Sequence, residues 1–364
     1  MPIATPLPHR PEKRLPAAPA QAEAIGTAAT PGPGEVAGAA EAAAVQVAAA
    51  EAVKENQAAA AAKATARQPV PAAALAPTTA AAAPGWSTLE VADVRGRSRL
   101  VTCKNLQPLK LLQPATPGRA CHVVLSSYGG GLVAGDAIRL RVAVQAGAQL
   151  VLSTQASTRV FRSIDGAVAE QHTVGELGEN ALAVVFPDPV VPQAASRYRQ
   201  TQEWHLQPSA LLLLVDWFHS GRMDQGERFA FTSFHSELRL HVAGRLLLLD
   251  RFGFEPAENI AAAPANFAGY QSFFSAYLVG APADIRFQQL AEAMKQLKMP
   301  GSTGPHFNLQ GAACVVALTQ ARDNVWVLRA AAHSRMALQP VCEQILAALA
   351  TAELLGYNPL GRKM

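Results

Sequence analysis

The chain has 364 residues, with 31 Lys plus Arg against 27 Asp plus Glu; half of its letters are hydrophobic and 6% are aromatic. A net charge of +4 with no run of five Lys/Arg does not build the concentrated basic face that nucleic acid binding needs. Apolar stretches such as Ala210–Val215 and Leu246–Leu249 fall far short of the ~20 residues of a membrane-spanning helix, so a soluble protein is expected, with neither nucleic acid nor membrane as a partner.

Residues 1–85 are a different polymer from the rest. They hold 33 alanines, 12 of the 26 prolines, six basic and six acidic residues, and no Phe, Tyr or Trp. Such a segment cannot bury enough apolar surface to offset chain entropy, so a mostly disordered tail is predicted, with alanine favouring transient helix over Glu35–Arg67. Basic residues occur early and the first acid is Glu12, as in a targeting presequence, but Glu23, Glu35, Glu41, Glu51 and Glu55 argue against one. The four cysteines, Cys103, Cys121, Cys314 and Cys342, form no CxxC pair, and no signal-peptide hydrophobic region opens the chain. A reducing compartment, the cytoplasm, is expected.

From Cys121 onward the apolar pattern has period two. Ile138, Leu140, Val142 and Val144 alternate with Arg139, Arg141 and Ala143, as in a half-buried strand. A turn at Gln145–Ala148 leads to Leu150 and Leu152. The phrase returns at Glu179-Asn180 before Ala181–Phe186, at Pro208-Ser209 before Leu211–Val215, and at Ala243-Gly244 before Leu246–Asp250. The spacing predicts repeated β-hairpins stacked into a layered, solenoid-like structure. Two helices follow, over Ala283–Met299 (apolar Ile285, Leu290, Met294, Leu297) and from Pro340 to Leu355 (apolar Val341, Ile345, Leu346, Leu349), the second stopped by Gly356. Between them, Ala313–Leu318 and Val325–Ala330 read as a hairpin around Arg322-Asp323-Asn324. The fold class is therefore mainly β with two C-terminal α-helices, in one body over residues 86–364.

Gly129-Gly130-Gly131-Leu132-Val133-Ala134 fits the dinucleotide fingerprint, but a strand pattern rather than a helix follows Gly135-Asp136, and the pyrophosphate needs a helix amino terminus. The loop reads as a glycine-enabled turn. Asp216, His219 and Ser220 lack a nucleophile-elbow context. Cys121 and His122, adjacent on a strand, point to opposite faces; His235 and His241 share a face but lie about 20 Å apart at ~3.3 Å per residue, so no tight zinc site is expected. The acids in apolar or turn contexts remain: Asp136, Asp216, Asp250 and Glu227, whose ordinary role is pairing with turn amides or with arginines such as Arg222 and Arg251.

Ser127-Tyr128-Gly129-Gly130-Gly131-Leu132-Val133-Ala134-Gly135-Asp136, Ala148-Gln149-Leu150 and Thr154-Gln155-Ala156-Ser157-Thr158-Arg159-Val160-Phe161-Arg162 resemble the urease accessory protein UreD (UreH) family. Further matches come in the family's order: Phe186-Pro187-Asp188-Pro189-Val190-Val191-Pro192, Asp216-Trp217 leading to Gly221-Arg222, Gly226-Glu227-Arg228-Phe229, and Asp250-Arg251-Phe252. The tail has no counterpart in that pattern. The resemblance implies a non-enzymatic maturation factor with a mainly β fold, acting with the accessory protein UreF and the GTPase UreG on apo-urease. It implies no fixed cofactor and transient nickel(II), for which Asp136, Asp216, Asp250 and Glu227 are the candidate transfer path, while Gly129, Gly130, Gly131 and Gly135 form a structural loop. Two other readings compete: a β-sandwich ligand-binding module, and a nucleotide-dependent enzyme using the Gly129–Gly131 loop, which requires a helix after Asp136.

Overall fold

The computed structural model describes residues 85–259, 267–297 and 312–360; the predicted tail lies outside these, apart from Gly85. Among the described residues the chain order begins β1 (Ser87–Val94), β2 (Arg97–Lys104), β3 (Leu109–Leu112), β4 (Cys121–Ser127), β5 (Gly131–Leu132), β6 (Ala137–Val144), β7 (Gln149–Thr154), β8 (Thr158–Val160) and β9 (Ala169–Leu177). It continues with β10 (Leu182–Phe186), β11 (Val190–Pro192), β12 (Arg197–Leu206), β13 (Leu211–His219), β14 (Ser233–Val242), β15 (Arg245–Phe254) and β16 (Ser272–Val279). Helix α1 (Ile285–Lys295), strands β17 (Cys314–Arg322) and β18 (Val325–Ala332), and helix α2 (Arg335–Ala348) follow, and a one-turn helix, Pro256–Asn259, comes after β15.

The strands make two sheets, one ordered β15-β14-β12-β9-β6-β1-β2 and the other β17-β18-β16-β13-β10-β7-β4-β3, with β5, β8 and β11 attached beside β13. Mid-sheet neighbours run parallel: β6, β9, β12 and β14 in the first, β4, β7, β10 and β13 in the second. Val142, Gly175, Trp204 and Leu240 line up across the first sheet, so successive coils are offset by 33, 29 and 36 residues. The layered, solenoid-like expectation therefore holds, with one correction to its unit. The turns at Gln145–Ala148, Glu179-Asn180 and Pro208-Ser209 close no hairpins; each carries the chain from the first sheet to the second. These turns stack on one another, Gly147 N–H donating to Glu179 O at 2.8 Å and Asn180 N–H to Ser209 Oγ at 2.9 Å. The Ala243-Gly244 turn does close an antiparallel hairpin, β14–β15, as does the turn at Asp323-Asn324 between β17 and β18.

Strand parity explains the layers. In β13, Leu212, Leu214 and Phe218 enter a core between the two sheets, while Leu211, Leu213, Val215 and Trp217 enter a second core beneath the helices. That double burial accounts for the unbroken apolar run Leu211–Val215. Helix α1 opens on Asp284, whose side chain accepts from Arg286 N–H. It buries Phe287, Leu290, Ala291 and Met294, and Ile285 stays 54% exposed, outside the stripe assigned to it. Helix α2 starts five residues before the predicted Pro340, because Ser334 accepts from Ala337 N–H and Pro340 is carried within the helix. It ends at Ala348; Gly356, at φ 72°, closes the following turn. Val341, Ile345, Leu346 and Leu349 are buried. The predicted end of α1 past Leu297 lies outside the described residues.

Candidate functional site

The interior between the sheets is not uniformly apolar. Gln200 on β12 and Ser236 on β14 are register partners at inward positions, flanked by Tyr198, Phe234 and Leu238. Asp216 on β13 has the parity of Leu214 and Phe218, so it reaches from the second sheet to these two on the first. Gln200 Nε2 donates to both Asp216 oxygens at 2.8 and 2.7 Å, and Ser236 Oγ donates to Oδ2 at 3.0 Å. Tyr198 O–H lies 3.2 Å from the side-chain oxygens of Gln171 and Gln200, extending the polar line inward.

Asp216 and Asp250, separate in the sequence, line one cavity of about 680 Å³ with Ser236, Ser275, Tyr277 and Arg329, among Phe218, Phe234, Phe252, Phe273 and Phe274. Asp250 accepts from the Tyr277 hydroxyl and, at 2.6 Å, from an Arg329 guanidinium nitrogen; the other guanidinium nitrogen lies 3.3 Å from Ser275 Oγ. Burial pushes the Asp216 carboxyl above the usual carboxylate range; the Gln200 and Ser236 hydrogen bonds pull it down, the Asp250 charge adds to the rise, and Arg329 opposes it. Burial, with the neighbouring carboxylates, raises the Tyr198 and Tyr277 phenols above their ordinary range, so both act as neutral donors. Two carboxylates thus meet in one partly desolvated cavity, each held by hydrogen bonds from neighbouring strands.

Asp136 and Glu227 do not line this cavity. Asp136 Oδ2 accepts from Val133 N–H at 2.9 Å and its own N–H donates to Val133 O, closing the glycine loop. Gly129, Gly130 and Gly135 have φ of 74°, 71° and 85°, which only glycine adopts freely. Gly131 is extended but lies where a Cβ would come within 2.6 Å of Arg159 O. Strand β6, not a helix, follows Asp136, so the loop makes no dinucleotide cradle. Glu227 accepts from the Arg222 backbone N–H at 3.1 Å and from its guanidinium, and that pairing holds its carboxyl below the usual range. Arg251 does not serve Asp250: adjacent strand residues face opposite ways, and its Nε donates to Glu237 at 2.5 Å.

The residues named against a triad stay apart. His219 is buried against Trp217, Ser220 Oγ donates to Gln271, and Asp216 is engaged as above. The sequence blocks that carry the resemblance instead interlock structurally: Thr154 Oγ1 donates to Asp188 Oδ2 at 2.8 Å, Asp188 N–H returns a bond to Thr154 Oγ1, and Trp217 Nε1 donates to Pro187 O. Sequence reasoning missed Gln200, Tyr277 and Arg329, and it missed His205, which the parallel register brings beside His241 and Glu203. The signal for Gln200 was present, as a polar residue at an inward position between Tyr198 and Trp204.

Two face-to-face sheets coiled in parallel, a helical layer on one of them and an acid-bearing cavity lined by strands of both sheets define a β-solenoid-like scaffold. Residues 83–363 match the family model of the UreD urease accessory protein. The chain is 34% identical over 277 residues to the urease accessory protein UreD of Cytophaga hutchinsonii, covering 75% of this chain and 96% of that one. It is 34% identical over 238 residues to urease accessory protein D of Oryza sativa subsp. indica (63% and 78%), and 40% over 174 residues to UreD of Anaeromyxobacter sp. (48% and 58%). The chain belongs to the UreD urease accessory protein family.

Proposed function

We propose that the chain serves urease maturation as a non-catalytic scaffold that passes nickel(II) toward apo-urease, in a complex with a UreF-like protein and, through it, a UreG-like GTPase. Family membership supports the maturation role. The observation that carries the transfer step is the meeting of Asp216 and Asp250 in one cavity between the sheets. Nickel(II) binds multidentate imidazole or thiolate cages too tightly to move on, whereas isolated carboxylates and water make each stop weak. Asp136 and Glu227, the other two candidates for the path, lie outside that cavity and hold the glycine loop and the Arg222 turn, so the transfer role proposed here rests on Asp216 and Asp250. The expected compartment is the reducing cytoplasm, in keeping with four free thiols.

The test is complementation of a strain lacking its own UreD, with urease activity measured at equal protein level. Asp216→Asn and Asp250→Asn are preferred to alanine, because alanine at 216 strands the buried Gln200 amide at a cost of about 1–3 kcal/mol. Both variants are expected to co-purify with the UreF-like partner and to lower urease activation several-fold. Wild-type activation by both would remove the transfer role.

A further inference from the structure

The outer face of the first sheet, turned away from the cavity, carries four histidines, each beside a glutamate: His172 with Glu170 at 3.3 Å, His205 and His241 with Glu203 at 3.1 and 3.3 Å, and His235 with Glu255 at 3.5 Å. At Glu203 two imidazoles converge on one carboxylate. His205 on β12 and His241 on β14 are direct partners in the parallel register, and Glu203 precedes His205 by two residues on the same strand face. The two rings stack with centroids 4.6 Å apart, and the three ligand atoms lie within 4.8 Å of one another.

Two of the three separations are those of a coordination shell. Ligand atoms each about 2.1 Å from a metal, at angles of about 90–109°, are separated by about 3.0–3.4 Å. Glu203 Oε1 already stands at such distances from both Nε2 atoms. The Nε2 of His241 is buried and, although it lies 3.3 Å from Glu203 Oε1, makes no hydrogen bond to that oxygen or to any other group. Arg239, opposite Glu203 in the register, is paired with Glu237 instead, which leaves the Glu203 carboxylate to the imidazoles. The side chains of His205, Glu203 and His241 are 39%, 35% and 18% exposed, so an ion can enter from solvent and keep water on its open side.

We propose that Glu203, His205 and His241 form a binding site for a divalent first-row transition-metal ion of the nickel or zinc class. Two imidazoles and one carboxylate suit that class and not the all-oxygen preference of magnesium or calcium. The sheet fixes the two backbones in register: neither Cα can shift without breaking the ladder between β12 and β14. The site lies on the opposite face of β14 from Ser236 and the Asp216–Asp250 cavity, and it stands whether or not that cavity conducts nickel.

Equilibrium dialysis of the untagged full-length chain against nickel chloride or zinc chloride, each alone, tests the site. His205→Gln and His241→Gln are each expected to weaken one bound equivalent at least tenfold, while His172→Gln, His235→Gln and the pair Asp216→Asn/Asp250→Asn keep that equivalent. X-ray absorption of the singly loaded wild type should show two imidazoles on the metal, a readout independent of how any variant folds. Unchanged binding by the His205→Gln/His241→Gln double variant, equal losses in all four histidine variants, or a metal without imidazole ligands would each overturn the proposal. Loss of urease activation in the Asp216 and Asp250 variants with the equivalent retained separates the two sites.

Discussion

At the scale of single residues, Asp216 is an acid that the fold makes harder to ionise. Its folded value lies above the unfolded one near ~3.9, so between the two the native state holds a proton that the unfolded chain has released. Stability contributed by this group is then full below the unfolded value, falls as pH rises toward the folded value, and stays low above it. Asp216→Asn cannot titrate. Melting curves of the two proteins from pH 4 to 7 should show wild type losing ground to the variant as pH rises; a constant gap would mean the hydrogen bonds from Gln200 and Ser236 balance burial, and one that widens in favour of wild type would mean they outweigh it. The acid itself was legible, as a charge placed in the apolar run ending at Trp217. Its partners were not, because they lie on strands of the facing sheet. His205 was hidden for a related reason: it meets His241 one 36-residue coil away, a separation that local motif spacing ignores and that the coil period makes adjacent.

At the scale of elements, alternation identifies strands but not their partners. The two-residue Ala243-Gly244 turn has both residues at positive φ, 49° and 74°, a backbone twist that suits a tight hairpin. In the Gln145–Ala148 turn Gly147 alone has positive φ, at 70°, and the chain leaves for the other sheet. Reading both as hairpins follows from seeing only apolar periods and turn letters. Between β9 and β12 the fit is close enough to be tested by one methyl group. A Cβ on Gly175 would fall 2.0 Å from Trp204 Cε3, and that indole is fully buried. Gly175→Ala is expected to destabilise the protein by about 1–3 kcal/mol or more through overpacking, seen as a lower urea midpoint. Trp204→Phe should relieve part of the cost in the double variant, giving a favourable coupling; strict additivity of the two losses would show that the indole is not the obstacle.

For the whole molecule, the layered plan could be read from the sequence because from Leu211 to Phe218 β13 carries no polar side chain except Asp216 on either face. Which residues face which core could not, since a run of five apolar letters carries no phase. The structure assigns them: Leu212 to the core between the sheets, Leu213 to the core under the helices. The two cores thus share one sheet, and neither can be dismantled while the other keeps its wall. Leu212→Ala and Leu213→Ala should each cost about 2–5 kcal/mol, and each should lower the same single transition. Thermal unfolding followed by tryptophan fluorescence, with Trp204 between the sheets and Trp217 on the helical side, should coincide with the loss of helical circular dichroism in wild type and in both variants. A helical signal that melts early in Leu213→Ala, while the inter-sheet tryptophan signal keeps its wild-type midpoint, would show the helices to be an independent layer and not part of one cooperative body.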